Sequence, residues 1–136
     1  MLIKFTDADF LMATVVPKDW YTTEIVSVSD PKVASKGDSN NIDITFRIIE
    51  GEFAGTERIR VFNSKAWGMF LPLIEACENR ALSKQDKEKL KEGFDPKVLI
   101  GKRVKTEWTV GPYEGRLVNN IENFAPLTAS KSETPF

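Results

Sequence analysis

Residues 41–51 read NIDITFRIIEG. Ile42, Ile44, Phe46 and Ile48 take alternate positions, with Asp43, Thr45, Arg47 and Ile49 between them. Successive side chains of a strand point to opposite faces, so this run predicts a strand with one face in a core and the other toward water. A helix would scatter the same isoleucines around its circumference. The chain is therefore expected to build its core on a sheet.

The segments on either side repeat the device. Residues 20–29, WYTTEIVSVS, are aromatic and β-branched with almost no breaker, and read as a first strand. A polar loop, DPKVASKGDSNN, separates it from the alternating run. Glu52-Phe53-Ala54-Gly55 reads as a hairpin connection. Residues 56–63, TERIRVFN, read as a third strand with Ile59 and Val61 on one side and Arg58, Arg60 and Phe62 on the other. From Ser64 to Asn79 the period changes. Trp67, Phe70, Leu71 and Ile74 recur at helical spacing, with Ser64 as the expected cap. Pro72 should kink this helix or lie near a start. A second, charged helix covers 86–92, with Ser83 ahead of it and Gly93 at its end. Lys102–Val110 and Arg116–Phe124 are the fourth and fifth strands, with a turn at 111–115. From 127 to 136 the apolar period is lost and a disordered tail is expected.

Three strands, a helix and two strands is the order of an OB-fold. The expected class is mainly β: a five-stranded OB-fold barrel over residues 1–126, with one helix, or two, between strands three and four. A different small barrel or an α+β sandwich would give the same string.

The inventory narrows the chemistry. The 136 residues suffice for one domain with a core of its own. There is one Cys, Cys77, and no His. That leaves no internal disulfide, no Ser-His-Asp triad, no Cys-His pair and no structural zinc site. No Gly-rich phosphate loop occurs. Two Asp-Pro-Lys triplets, at 30–32 and 95–97, resemble fragments of a metal-dependent nuclease site but read better as turn openers. The expectation is a binding protein with no catalytic residues, no metal and no cofactor. No apolar run approaches the ~20 residues of a membrane span. The N-terminal residues lack a signal-peptide pattern. With the lone Cys, a cytoplasmic setting is expected.

Net charge is −1, so any nucleic-acid binding must use a local basic surface. An OB-fold holds its ligand across strands two and three, between the loop after strand one and the loop joining strands four and five. On that map strand two offers Thr45 and Arg47, and strand three offers Arg58, Arg60 and Phe62. The first loop supplies Lys32 and Lys36. The second supplies Tyr113 and Arg116, and Lys105 lies on strand four beside Lys102 and Arg103. Cations for phosphates and rings for unpaired bases suit single-stranded nucleic acid. Each residue also has an ordinary structural role open to it: Arg58 and Arg60 as solvated surface residues, Phe62 as a core ring, the loop lysines as solvated charges.

The runs GEFAGTERIRVFN (51–63), LIGK (99–102) and PYEGRLVNNI (112–121) resemble small phage-encoded single-stranded-DNA-binding proteins of OB fold. The resemblance covers roughly residues 20 to 126. It implies binding of single-stranded DNA without sequence preference, protection of unpaired strands in phage replication or recombination, no catalysis and no required metal. It places the protein in the host cytoplasm. Such proteins often end in an acidic segment with an aromatic tip that recruits replication or recombination proteins. Pro135 and Phe136 match the tip, whereas Lys131 and the single acid Glu133 depart from the acidic stretch. Single-strand binders often act as dimers, so a homodimer is a further expectation, although no interface is legible. The competing reading is a small β-barrel module for protein interaction, structure or host modulation, with no nucleic-acid role.

Overall fold

In the computed structural model, residues 1–6 and 15–128 are described. The alternating run becomes β3 (Asn40–Ile48), in which Ile42, Ile44, Phe46 and Ile48 are buried while Arg47 is exposed. Its neighbours are β1 (Asp19–Val28) on one edge and β4 (Glu57–Asn63) on the other, both antiparallel.

β1 serves two partners by bending. Its second half pairs with β3, from Thr23 opposite Ile48 to Val28 opposite Ile44. Its first half pairs with β5 (Arg103–Tyr113), from Asp19 opposite Trp108 to Glu24 opposite Arg103. A register shift between Ile25 and Ser27 accompanies the change, and an extra residue in a strand turns it sharply. β5 continues into β6 (Arg116–Ala125) through a hairpin. β4 and β6 come together without a hydrogen-bonded ladder, and the rings of Phe62 and Phe124 stack across this seam at 6.3 Å. The resulting connectivity is that of an OB-fold, left open between its third and fifth long strands. One short strand went unseen in the sequence: β2 (Lys32–Val33), inside the first loop, pairs with Asn41 and Asn40 of β3.

The helix expected over 64–79 is divided. Ser64–Met69 is a 3-10 segment kinked at Ala66, and only α1 (Phe70–Glu78) is α-helical. Pro72 thus falls in the first turn of α1, where a missing N–H costs nothing. Asn63, not Ser64, caps the 3-10 segment by accepting from the Lys65 amide, while the Ser64 hydroxyl accepts from the Asn40 amide across the chain. α2 (Lys84–Glu92) starts as expected, with a reciprocal Ser83–Asp86 capping box, and Arg80 pairs with the same Asp86. That arginine and the capping bonds hold the Asp86 carboxyl well below its ordinary range.

The core fills the space between the sheet and α1. Phe62 stacks on Phe70 at 4.3 Å, and Phe46 stacks on Phe124 at 5.6 Å. Trp108 is fully buried, and its indole N–H donates to the Thr106 hydroxyl at 2.8 Å. Thr23 completes this polar cluster by donating to the Val104 carbonyl at 3.0 Å. Where the tail was expected to begin, the Thr128 hydroxyl bonds the Asn79 side chain at 3.0 Å. Pro135 and Phe136 lie outside the described residues.

Candidate nucleic-acid interface

Register decides which side chains can share a surface. Asp43 lies opposite Val61, Thr45 opposite Ile59 and Arg47 opposite Glu57. Residues directly opposite in an antiparallel pair share a face. The outer face of β3 and β4 is therefore Asp43, Thr45 and Arg47 with Glu57, Ile59 and Val61. Ile42, Ile44 and Phe46 lie opposite Phe62, Arg60 and Arg58, so those three belong to the inner face.

This corrects the expected groove, which set Arg58, Arg60 and Phe62 beside Thr45 and Arg47. Phe62 is 1 % exposed and is a core ring with no room to stack a base. Arg60 is half-buried, its guanidinium 4.8 Å from the Phe62 ring centroid, and burial pulls its pKa below the ordinary value. Glu122, on the other side of the seam, partly offsets that loss of solvation. Arg58 is exposed at the start of β4, on the seam side. The inversion brings Ile59 and Val61, which alternation alone would send inward, to the outer face at 51 % and 44 % exposure.

Three ion pairs frame these two apolar side chains. Arg47 meets Glu57 at 2.5 Å, Lys32 reaches from β2 to Asp43 at 3.0 Å, and Lys65 meets Asp38 at 2.5 Å. In the same cross-strand row as Arg47 and Glu57, Arg103 of β5 pairs with Glu24 of β1 at 3.2 Å. Across β5, β1, β3 and β4 the charges thus run Arg103, Glu24, Arg47, Glu57. The face carries many cations yet is close to neutral, in keeping with the whole chain.

Lys105, Glu107, Thr109, Gly111 and Tyr113 alternate along the side of β5 away from the buried Val104, Thr106 and Trp108. β5 and β6 then run past the barrel as an arm. Its turn is two residues long, with Glu114 at φ 49° and Gly115 at φ 80°, as a type I′ hairpin needs. The turn is shorter than the five residues read from the sequence, because Gly111, Pro112 and Tyr113 remain paired. Tyr113 lies opposite Arg116 at the tip, 58 % exposed, and both belong to the outward side of the arm. The arm's other side carries exposed Val110 and Leu117. Asn119 anchors the arm's base by donating to the Val16 carbonyl and accepting from its amide, each at 2.9 Å. Lys36 is exposed in the loop between β2 and β3.

The structure brings together Lys32, Arg47, Lys105, Tyr113 and Arg116 on the outward side of the sheet and arm, and separates Arg58, Arg60 and Phe62 from them. Sequence reasoning missed Ile59, Val61 and Lys65. An apolar residue in an alternating strand reads as core until its neighbour's register is known.

Other candidates for chemistry have structural roles. Asp30 pairs with Lys97 at 2.6 Å, and Asp95 caps a 3-10 turn by accepting from the Lys97 amide, so one lysine ties the two Asp-Pro-Lys turns together. Burial pushes the Cys77 thiol up to about 12, which keeps it protonated at neutral pH. Among the described residues no group of His, Cys, Asp and Glu is placed to hold a metal ion, and no helix is long and apolar enough to cross a membrane. No protein-family model and no curated protein matches the chain.

Proposed function

We propose that the protein binds single-stranded DNA without reading its sequence and shields unpaired strands during replication or recombination. The action is passive, with no chemistry of its own. The observation that carries this reading is the outward side of an OB-fold, where apolar Ile59 and Val61 lie among exposed cations and an arm adds Tyr113 beside Arg116. Unpaired bases gain by leaving water against such side chains, and a ring such as Tyr113 is worth about 1–3 kcal/mol per stacked base. Phosphates gain from Arg and Lys through release of condensed counterions. A duplex hides its bases and would meet only the charges. Recruitment of replication or recombination proteins through Pro135 and Phe136 belongs to the same proposal and rests on the family resemblance. Comparing pull-downs by chains with and without the last two residues tests it.

The deciding experiment is fluorescence anisotropy with a labelled ~30-mer oligo-dT and a duplex of equal length, each at two salt concentrations. Tight, salt-sensitive binding to the single strand alone is the expected result. One observation favours a second reading, a protein-interaction module: the cations around Ile59 and Val61 are already paired. An exposed apolar pair with a polar rim is also how protein interfaces are built. Absence of DNA binding at low salt would select that reading.

A further inference from the structure

The three ion pairs around Ile59 and Val61 share one design. In each, a cation that single-stranded DNA would use is held by a carboxylate: Arg47 by Glu57 and Lys32 by Asp43 on the outer face, and Lys65 by Asp38 just beyond the Asn63 end of β4. They stand at both ends and along one side of the apolar pair. All six side chains are reached by solvent, so exchanging one acceptor for another requires no movement of the backbone.

Carboxylate and phosphate oxygens accept from guanidinium and ammonium groups in the same way. Exposed pairs of this kind hold weakly, by about 0.2–1 kcal/mol each. We propose that Asp38, Asp43 and Glu57 occupy the positions that backbone phosphates take, and that DNA binds by exchanging phosphate for carboxylate on Lys65, Lys32 and Arg47. The inference rests on the single-strand reading above and adds the rule by which the site selects. One small anion gains too little to open one pair and cannot open three. A strand meets all three cations at once and also gains by releasing its own counterions. The built-in carboxylates therefore lower affinity for every anion and favour extended single strands over short ones.

The test compares two triple variants with equal change of charge, in the full chain. One carries Asp38→Asn, Asp43→Asn and Glu57→Gln. The control carries Glu78→Gln, Glu88→Gln and Glu92→Gln, all exposed acids of α1 and α2. Affinity for the labelled oligo-dT is measured across a salt series, with thermal melts to confirm folding. The face variant should bind roughly tenfold more tightly than the control. Its log–log salt slope should match the control's, because under the exchange the same three cations end on phosphates in both. Asp43→Asn alone should give a smaller shift in the same direction, and serves if the triple variant does not fold. Equal tightening in the face and control variants would mean that bulk charge alone acts, and would overturn the exchange while leaving DNA binding intact. No binding by wild type or by either variant at low salt would overturn both readings together.

Discussion

β3 and β4 lie side by side, both alternate, and they obey the alternation in opposite senses. In β3 the apolar half faces inward and the polar half outward. In β4 Ile59 and Val61 face out, while Arg58 and Arg60 share the inner face with Phe62. Period two tells that a strand has two unlike faces. It does not tell which face is inside. In β4 one aromatic ring outweighs two aliphatic side chains, because Phe62 has Phe70 at 4.3 Å and Phe124 at 6.3 Å to pack against. The arginines tolerate the inner side because β4 borders the open seam: Arg58 stays exposed, and the half-buried Arg60 guanidinium lies over the Phe62 ring with Glu122 across the seam.

That contrast can be broken most forcefully at Phe62. Phe62→Ala should cost about 3–5 kcal/mol, as loss of a buried ring does. Urea unfolding measures it, and a cost below about 1 kcal/mol, typical of surface changes, would put the ring outside the core. A matched pair tests the two strands directly. Ile44→Ala in β3 should cost about 2–5 kcal/mol. Ile59→Ala in β4 should cost less than about 1 kcal/mol, as at a half-exposed site. Equal losses would erase the distinction between the faces.

Binding gives a finer probe. Tyr113→Ala should lose about 1–3 kcal/mol of affinity for oligo-dT with an unchanged salt slope, since a ring contributes stacking and no charge. An unchanged affinity would remove Tyr113 from the interface. Arg47→Ala should weaken binding and flatten the salt slope by about 0.7. Arg58→Ala with Arg60→Ala should leave the slope alone and lower stability only slightly, by about 0.5–1 kcal/mol for the lost packing of Arg60 on Phe62. If the double variant flattens the slope and Arg47→Ala does not, the DNA path follows the seam between β4 and β6, not the outer face.

Much of the architecture was legible in the chain. The long strands, the Ser83 cap with Gly93 after it, and the β5–β6 hairpin all rest on signals that lie within a few residues of one another. β2 was hidden because two residues in a polar loop carry no period. The division of the helix was announced by Pro72 and placed by the unforeseen kink at Ala66. Among the site residues, Lys32, Arg47, Lys105, Tyr113 and Arg116 lie on the outward side expected of them, and Arg58, Arg60 and Phe62 do not.

The sequence by itself determined the order of long strands and the helical stretch before the last two of them, because strand alternation, caps and turns are local properties. Only the tertiary structure decided which side of β4 meets water and which cations meet carboxylates. Both depend on the residue lying opposite, and a side chain's burial and charge balance are settled by neighbours far away in the chain: Phe124 for Phe62, Glu57 for Arg47, Asp38 for Lys65.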